Sequence, residues 1–127
     1  MDLRIDMEKD IVYIKLSGKV GKKSLIDALE LTIANKRYKK GMGRLWDFSQ
    51  ADLSNLKVED VIELGQHTKN FPTGINDVKV AFMAPGNIEF GLSRMFEMTS
   101  TASTKVHVFR TMDAAEKWMA GDEKIDS

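Results

Sequence analysis

The chain has no cysteine. Disulfides, thiolate catalysis, cysteine-ligated zinc and protein-thiolate iron–sulfur clusters are therefore excluded. Histidine is scarce: His67 and His107 are too few to build a three-histidine metal site, and neither has a partner that its place in the sequence names. Charge of one sign is not in excess, because 19 Lys and Arg stand against 19 Asp and Glu. The chain thus lacks the basic surplus that a nucleic-acid-binding domain carries, and no nucleic-acid partner is expected. No apolar run approaches the ~20 residues that span a bilayer, so no integral membrane segment is expected. The opening Met1-Asp2-Leu3-Arg4 has neither the basic flank nor the apolar core of a secretory leader, which points to a cytoplasmic protein. No nucleophile–base pair, metal-ligand set or phosphate-binding glycine loop is readable, so the expectation is a protein without catalytic activity and without a cofactor.

What is present is an ordinary globular composition. With 127 residues, 43% hydrophobic and 30% charged, the chain suits one core rather than two, expected over residues 1–120 with a frayed tail over 121–127. Leu3, Ile5 and Met7 alternate with charged residues, the period of a half-buried strand. The polar turn Glu8-Lys9-Asp10 follows, then a strand from Ile11 to Leu16, so these segments predict an antiparallel hairpin. From Lys22 to about Tyr38 the period becomes helical, with Leu25, Ala28, Leu29, Thr32 and Ile33 on one side. A third strand is predicted over Gly43–Phe48, a polar turn over Ser49–Asn55, and a helix over Lys57–Phe71 with Val58, Val61, Ile62 and Gly65 inward. Pro72-Thr73-Gly74 breaks that helix. Val78–Met83 predicts the fourth strand. The helix after Pro85-Gly86 has Asn87 as a candidate cap and Ile88, Gly91, Leu92, Met95, Phe96 and Thr99 as its inward stripe. Val106–Phe109 predicts a fifth strand, and Thr111 caps a last helix with Ala115, Trp118 and Met119 inward.

The order β-β-α-β-α-β-α-β-α predicts an α/β fold with a five-stranded mixed sheet, its first strand antiparallel and the rest joined by right-handed crossovers. Tyr13, Lys15, Lys79 and His107 interrupt the apolar alternation, so four helices mainly on one face are expected, with the opposite face thinly covered. Tyr13, Trp46, Met83 and Phe109 are the candidates for that thin face. If it is bare, it predicts a homodimer, the commonest way to bury such a patch.

The element order, together with the segments LWDFSQADLS (Leu45–Ser54), MAPGNIEFGLSRMFE (Met83–Glu97) and VFRTMDAAEKWM (Val108–Met119), resembles the SpoIIAA-like group of the STAS superfamily, relatives of bacterial anti-sigma-factor antagonists. The resemblance covers nearly the whole chain. It implies a (βα) superhelical sheet and a non-catalytic regulatory module that binds a protein partner. Antagonists of that superfamily carry a phosphorylatable serine in an Asp-Ser-Ser-Gly-like turn. Here the junction reads Asp52-Leu53-Ser54-Asn55, without the serine pair or the glycine, which is a departure from the phosphorylation switch. Some relatives are similar to CRAL-TRIO lipid-transfer domains. That supplies the alternative expectation, a binder of a small apolar or lipid-like ligand held between the sheet and the third helix.

In open α/β sheets, loops beyond the carboxyl ends of the parallel strands converge beside helix N-termini. That rim collects Asp47, Ser49, Asp52, Ser54, Gly86, Asn87, Arg110 and Thr111 as the candidate partner-binding residues, with Ser54 and Ser49 as the hydroxyls that a phosphate would reach. Arg44 or Arg110 is the expected partner of Asp47. The basic stretch Lys36-Arg37-Tyr38-Lys39-Lys40 is read as a helix C-terminal cap that complements the helix dipole. The methionines and phenylalanines of the second half are read mainly as core, or as the lining of an apolar pocket.

Overall fold

The computed structural model describes residues 1–71, 75, 77–99 and 105–121. The expected break at 72–74 and the end of the expected tail, 122–127, lie outside these residues. The elements run β1 (Asp2–Asp6), β2 (Ile11–Lys19), α1 (Lys22–Ala34), β3 (Gly43–Asp52), α2 (Val58–Lys69), β4 (Lys79–Met83), α3 (Asn87–Thr99), β5 (Lys105–Phe109) and α4 (Met112–Met119).

The hairpin forms as its alternation dictates: β1 pairs antiparallel with β2, Leu3 opposite Ile14 and Ile5 opposite Val12. Its turn is held by Asp6, whose Oδ1 accepts from the backbone N–H of Glu8 (3.1 Å) and Lys9 (3.0 Å). Asp10 closes the turn at φ 57°, a left-handed conformation that a short polar side chain tolerates.

The strands β2 to β5 are parallel, and the sheet order β1-β2-β3-β4-β5 is the chain order. This order fixes the layers. Each crossover steps one strand in the same direction, and right-handed crossovers of one direction put α1, α2 and α3 on the same face. Their core cluster includes Val12, Ile14 and Leu16 of β2, Trp46 and Phe48 of β3, Val80 and Phe82 of β4, and Val106 and Val108 of β5. The helix after β5, α4, is placed differently. It covers the opposite face, where Ala115 and Trp118 pack with Ile11, Tyr13, Leu45, Ala81, Met83 and Phe109.

The expectation of a thinly covered face is therefore corrected. Tyr13, Met83 and Phe109 do lie on it, but they are buried beneath α4. Trp46 lies on the other face, stacked at 6.2 Å on Phe82 under the three crossover helices. These four residues form no exposed face, so the apolar exposure that motivated a homodimer is absent. The fixings of α4 are specific: the Tyr13 hydroxyl donates to Glu116 at 3.2 Å, and Lys79 Nζ donates to the Trp118 carbonyl at 3.1 Å. His107 meets the Trp118 ring edge-on at 4.9 Å and places Nδ1 3.2 Å from Glu97.

Three further expectations change. First, β3 runs on to Asp52, because a register shift between Lys15 and Ser17 inserts an extra residue in β3 and lets pairing resume at Ser17–Gln50. Second, α1 stops at Ala34, where Asn35 turns to extended backbone and its side chain accepts from the N–H of Arg37 at 2.9 Å. The stretch Lys36–Lys40 thus lies beyond the helix, with no cation in the last turn. Third, the inward stripes of α2 and α3 are only partly as expected, with Leu92 and Phe96 of α3 packed on the core. Val61 and Gly65 of α2 are buried, whereas Val58 and Ile62 are 52% and 44% exposed. On α3 Ile88 is exposed and Ser93 is the buried residue.

Candidate functional site: a cavity under the helix layer

The rim residues are where the strand ends place them, but their hydrogen bonds are local. Asp47 Oδ1 accepts from the N–H of Ser49 (2.9 Å) and from its hydroxyl (2.6 Å), and Asp52 Oδ1 does the same for Ser54 (2.9 and 2.6 Å). Each carboxylate thus closes its own turn. The expected pairing of Asp47 with Arg44 or Arg110 does not form. Arg110 instead gathers the next loop, donating from Nη1 to the Pro85 carbonyl (3.0 Å) and to Asn87 Oδ1 (2.8 Å), and lies 3.9 Å over the Phe90 ring. The Asn87 side chain is occupied by that bond, whereas Thr111 caps α4 through Ala114 N–H at 3.2 Å. The hydrogen bond from the Ser54 hydroxyl, then that from its backbone N–H, hold the Asp52 carboxyl below the usual carboxylate range. A phosphate on Ser49 or Ser54 would sit against a carboxylate. Among the described residues no cluster of three metal-ligating side chains occurs. Nor does the sheet offer a crevice at this edge, because its strand order never reverses.

An open space lies elsewhere, between the sheet and the crossover helices. Trp46 and Phe48 of β3 with Val80 and Phe82 of β4 form its floor. Its walls are Leu25 and Leu29 of α1, Val61 and Leu64 of α2, and Leu92 and Phe96 of α3, and the segment after β3 closes one end with Leu53 and Leu56. The volume is about 80 Å³. Beside it α2 approaches α3 closely at Gly65, where a Cβ would stand 2.8 Å from Thr99 Oγ1, and Leu64 of the same helix lines the space. Across the top, α2 is tied to α1 by the Lys22–Glu63 ion pair, and His67 Nε2 stands 3.8 Å from Glu30. The Glu63 carboxylate holds the Lys22 ammonium above its ordinary value.

Two polar groups interrupt the apolar lining. Arg44 is the second residue of β3, shares the inward face with Trp46 and Phe48, and is only 3% exposed. Its Nη1 donates to the Tyr38 hydroxyl (3.1 Å) and to the Ile75 carbonyl (2.8 Å). Burial pushes the guanidinium below its usual value, with the Tyr38 hydroxyl opposing the shift, and it remains a cation at neutral pH. Ser93 of α3 is 4% exposed, and its hydroxyl has no hydrogen-bond partner among the described residues. The exposed Lys69, at the end of α2, also lines the cavity, which therefore reaches the surface there. Neither Arg44 as a buried cation nor Ser93 was legible as a site residue. The available signal was the spacing Arg44, Trp46, Phe48, which puts all three on one strand face.

No protein-family model matches the chain, and a search of curated proteins finds no significant match. Among solved structures, the chain is similar to an uncharacterized protein of the DUF3478 family with a SpoIIAA-like fold from Shewanella loihica PV-4. The TM-score is 0.57 at 20% sequence identity, over 93% of this chain and 92% of the other. A likeness at that identity speaks for architecture, and together with the mixed sheet, its chain-order winding and its four helices it gives the conclusion that this chain has a SpoIIAA-like fold.

Proposed function

We propose that the chain is a non-catalytic binding module that holds a small apolar ligand between the sheet and the crossover helices. The observation that supports this most is the cavity itself: a core of this size normally fills such a space, and here it is left open, apolar and connected to the surface beside Lys69. Its volume is roughly half the ~150 Å³ that admits benzene, so an eight-carbon chain enters only with outward movement of the helix layer, and that opening is part of the proposal. Each methylene removed from water contributes about 0.8 kcal/mol.

Trp46 lines the cavity and Trp118 lies on the other face, so titration of intrinsic fluorescence with n-octanol tests the reading. Saturable change in the parent, and its loss when Leu64→Trp fills the space, is the expected result. A linear, unsaturable response in the parent would count against it.

A protein partner is the second reading, and it has an observation of its own. Val58 and Ile62, one turn apart, present exposed apolar side chains on the outer side of α2. The double change Val58→Glu with Ile62→Glu would abolish capture of such a partner and leave octanol binding intact.

A further inference from the structure

The cavity reading leaves open the chemical class of the ligand, and the inference here rests on that reading. Arg44 is buried with no carboxylate paired to it among the described residues, although an uncompensated buried cation is among the costlier groups a core can hold. Both of its hydrogen bonds leave from Nη1, so among the described residues Nε and Nη2 have no acceptor. Those two donors form the fork that matches the two oxygens of one carboxylate. No Asp or Glu lines the cavity. The strands β3 and β4 begin at the end of the helix layer where α2 finishes, and Arg44 bonds the carbonyl of Ile75, six positions beyond Lys69 in the chain. Arg44 and Lys69 thus mark the same end of the space, and the opposite end is the apolar closure by Leu53 and Leu56. The unpartnered Ser93 hydroxyl is a third donor on the wall.

We propose that the ligand is a linear aliphatic monocarboxylate, its chain among the apolar walls and its carboxylate on the free fork of Arg44, with Lys69 at the mouth. A neutral lipid would leave Arg44 as unpaired as it is now. A carboxylate supplies the missing counter-charge in a site shielded from salt.

The test compares octanoate with n-octanol by calorimetric titration at neutral pH on the unmodified chain, on Arg44→Met and on Lys69→Gln. Octanoate is expected to bind the unmodified chain at least tenfold more tightly than octanol. Arg44→Met should bring the acid-to-alcohol affinity ratio down to about one, whatever it does to octanol itself, and Lys69→Gln should weaken octanoate severalfold. If Arg44→Met fails to fold, the acid-to-alcohol ratio on the unmodified chain and its fall in Lys69→Gln decide the matter. Octanol binding as tightly as octanoate, or octanoate affinity untouched in both variants, would overturn the carboxylate class while the cavity reading stands. Binding of neither compound would overturn both.

Discussion

Arg44 Nη1 stands 2.8 Å from the carbonyl oxygen of Ile75, so a buried cation of β3 holds the backbone at that residue. The bond satisfies a backbone acceptor at a buried residue. It also makes Arg44 a structural residue as well as a lining one, and the two roles separate on substitution.

Arg44→Met keeps the volume and removes the charge. The desolvation cost that disappears and the lost bonds to Ile75 and Tyr38 offset one another, so unfolding in urea should shift by no more than about 1 kcal/mol. Arg44→Ala vacates the volume as well and should lose about 2–4 kcal/mol.

Ser93→Ala removes a buried hydroxyl that has no partner among the described residues. The expected effect is a gain of about 1 kcal/mol in the same unfolding measurement, because the desolvation of that hydroxyl is unreturned in the parent. A loss would mean that the hydroxyl is engaged in solution.

Trp118→Ala strips the cover from Tyr13, Met83 and Phe109. The expected cost is about 3–5 kcal/mol, and sedimentation should show stronger self-association of the variant than of the parent. Equal association of the two would mean that α4 is not what keeps this face from contact.

The Asp52 carboxyl is held low by Ser54, so its contribution to stability is present above the unfolded value and is lost as pH falls through the lower folded value. Ser54→Ala should move the Asp52 midpoint, followed by carboxyl carbon resonance, back up toward the ordinary aspartate range. For Tyr13 the sign is opposite. Burial, then the Glu116 carboxylate, pushes its hydroxyl above the ordinary tyrosine value, so stability falls as pH rises past that ordinary value toward the folded one. Glu116→Gln should lower the Tyr13 midpoint in an ultraviolet titration.

The parts of the fold that follow from alternation were legible in the sequence: the hairpin, the parallel winding and the inward Ala115 and Trp118 of α4. The faces of β3 were not, because Leu45 and Trp46 are both large and apolar, and alternation says nothing when neighbours are alike. The helix stripes were legible only in part, for a related reason. Periodicity assigns apolar side chains inward, whereas Ser93 and Glu89 turn toward the core side of α3, the latter to accept from Leu53 N–H at 3.1 Å, and Ile88 is left outside. The bonds of Asp47 to Ser49 and of Asp52 to Ser54 were not read from the sequence, which paired Asp47 with an arginine, and the cavity was not legible either. It arises from where α2 crosses the sheet, which is a property of packed elements and has no signature in any one of them.

The most direct measurement of the central claim is an isotope-filtered nuclear Overhauser experiment with octanoate and methyl-labelled protein. Contacts from the chain methylenes to the methyl groups of Leu29, Val61 and Leu64 are the predicted result, because these line the cavity. Contacts confined to the outward methyls of Val58 and Ile62 would place the ligand on the outside of α2 and contradict the account.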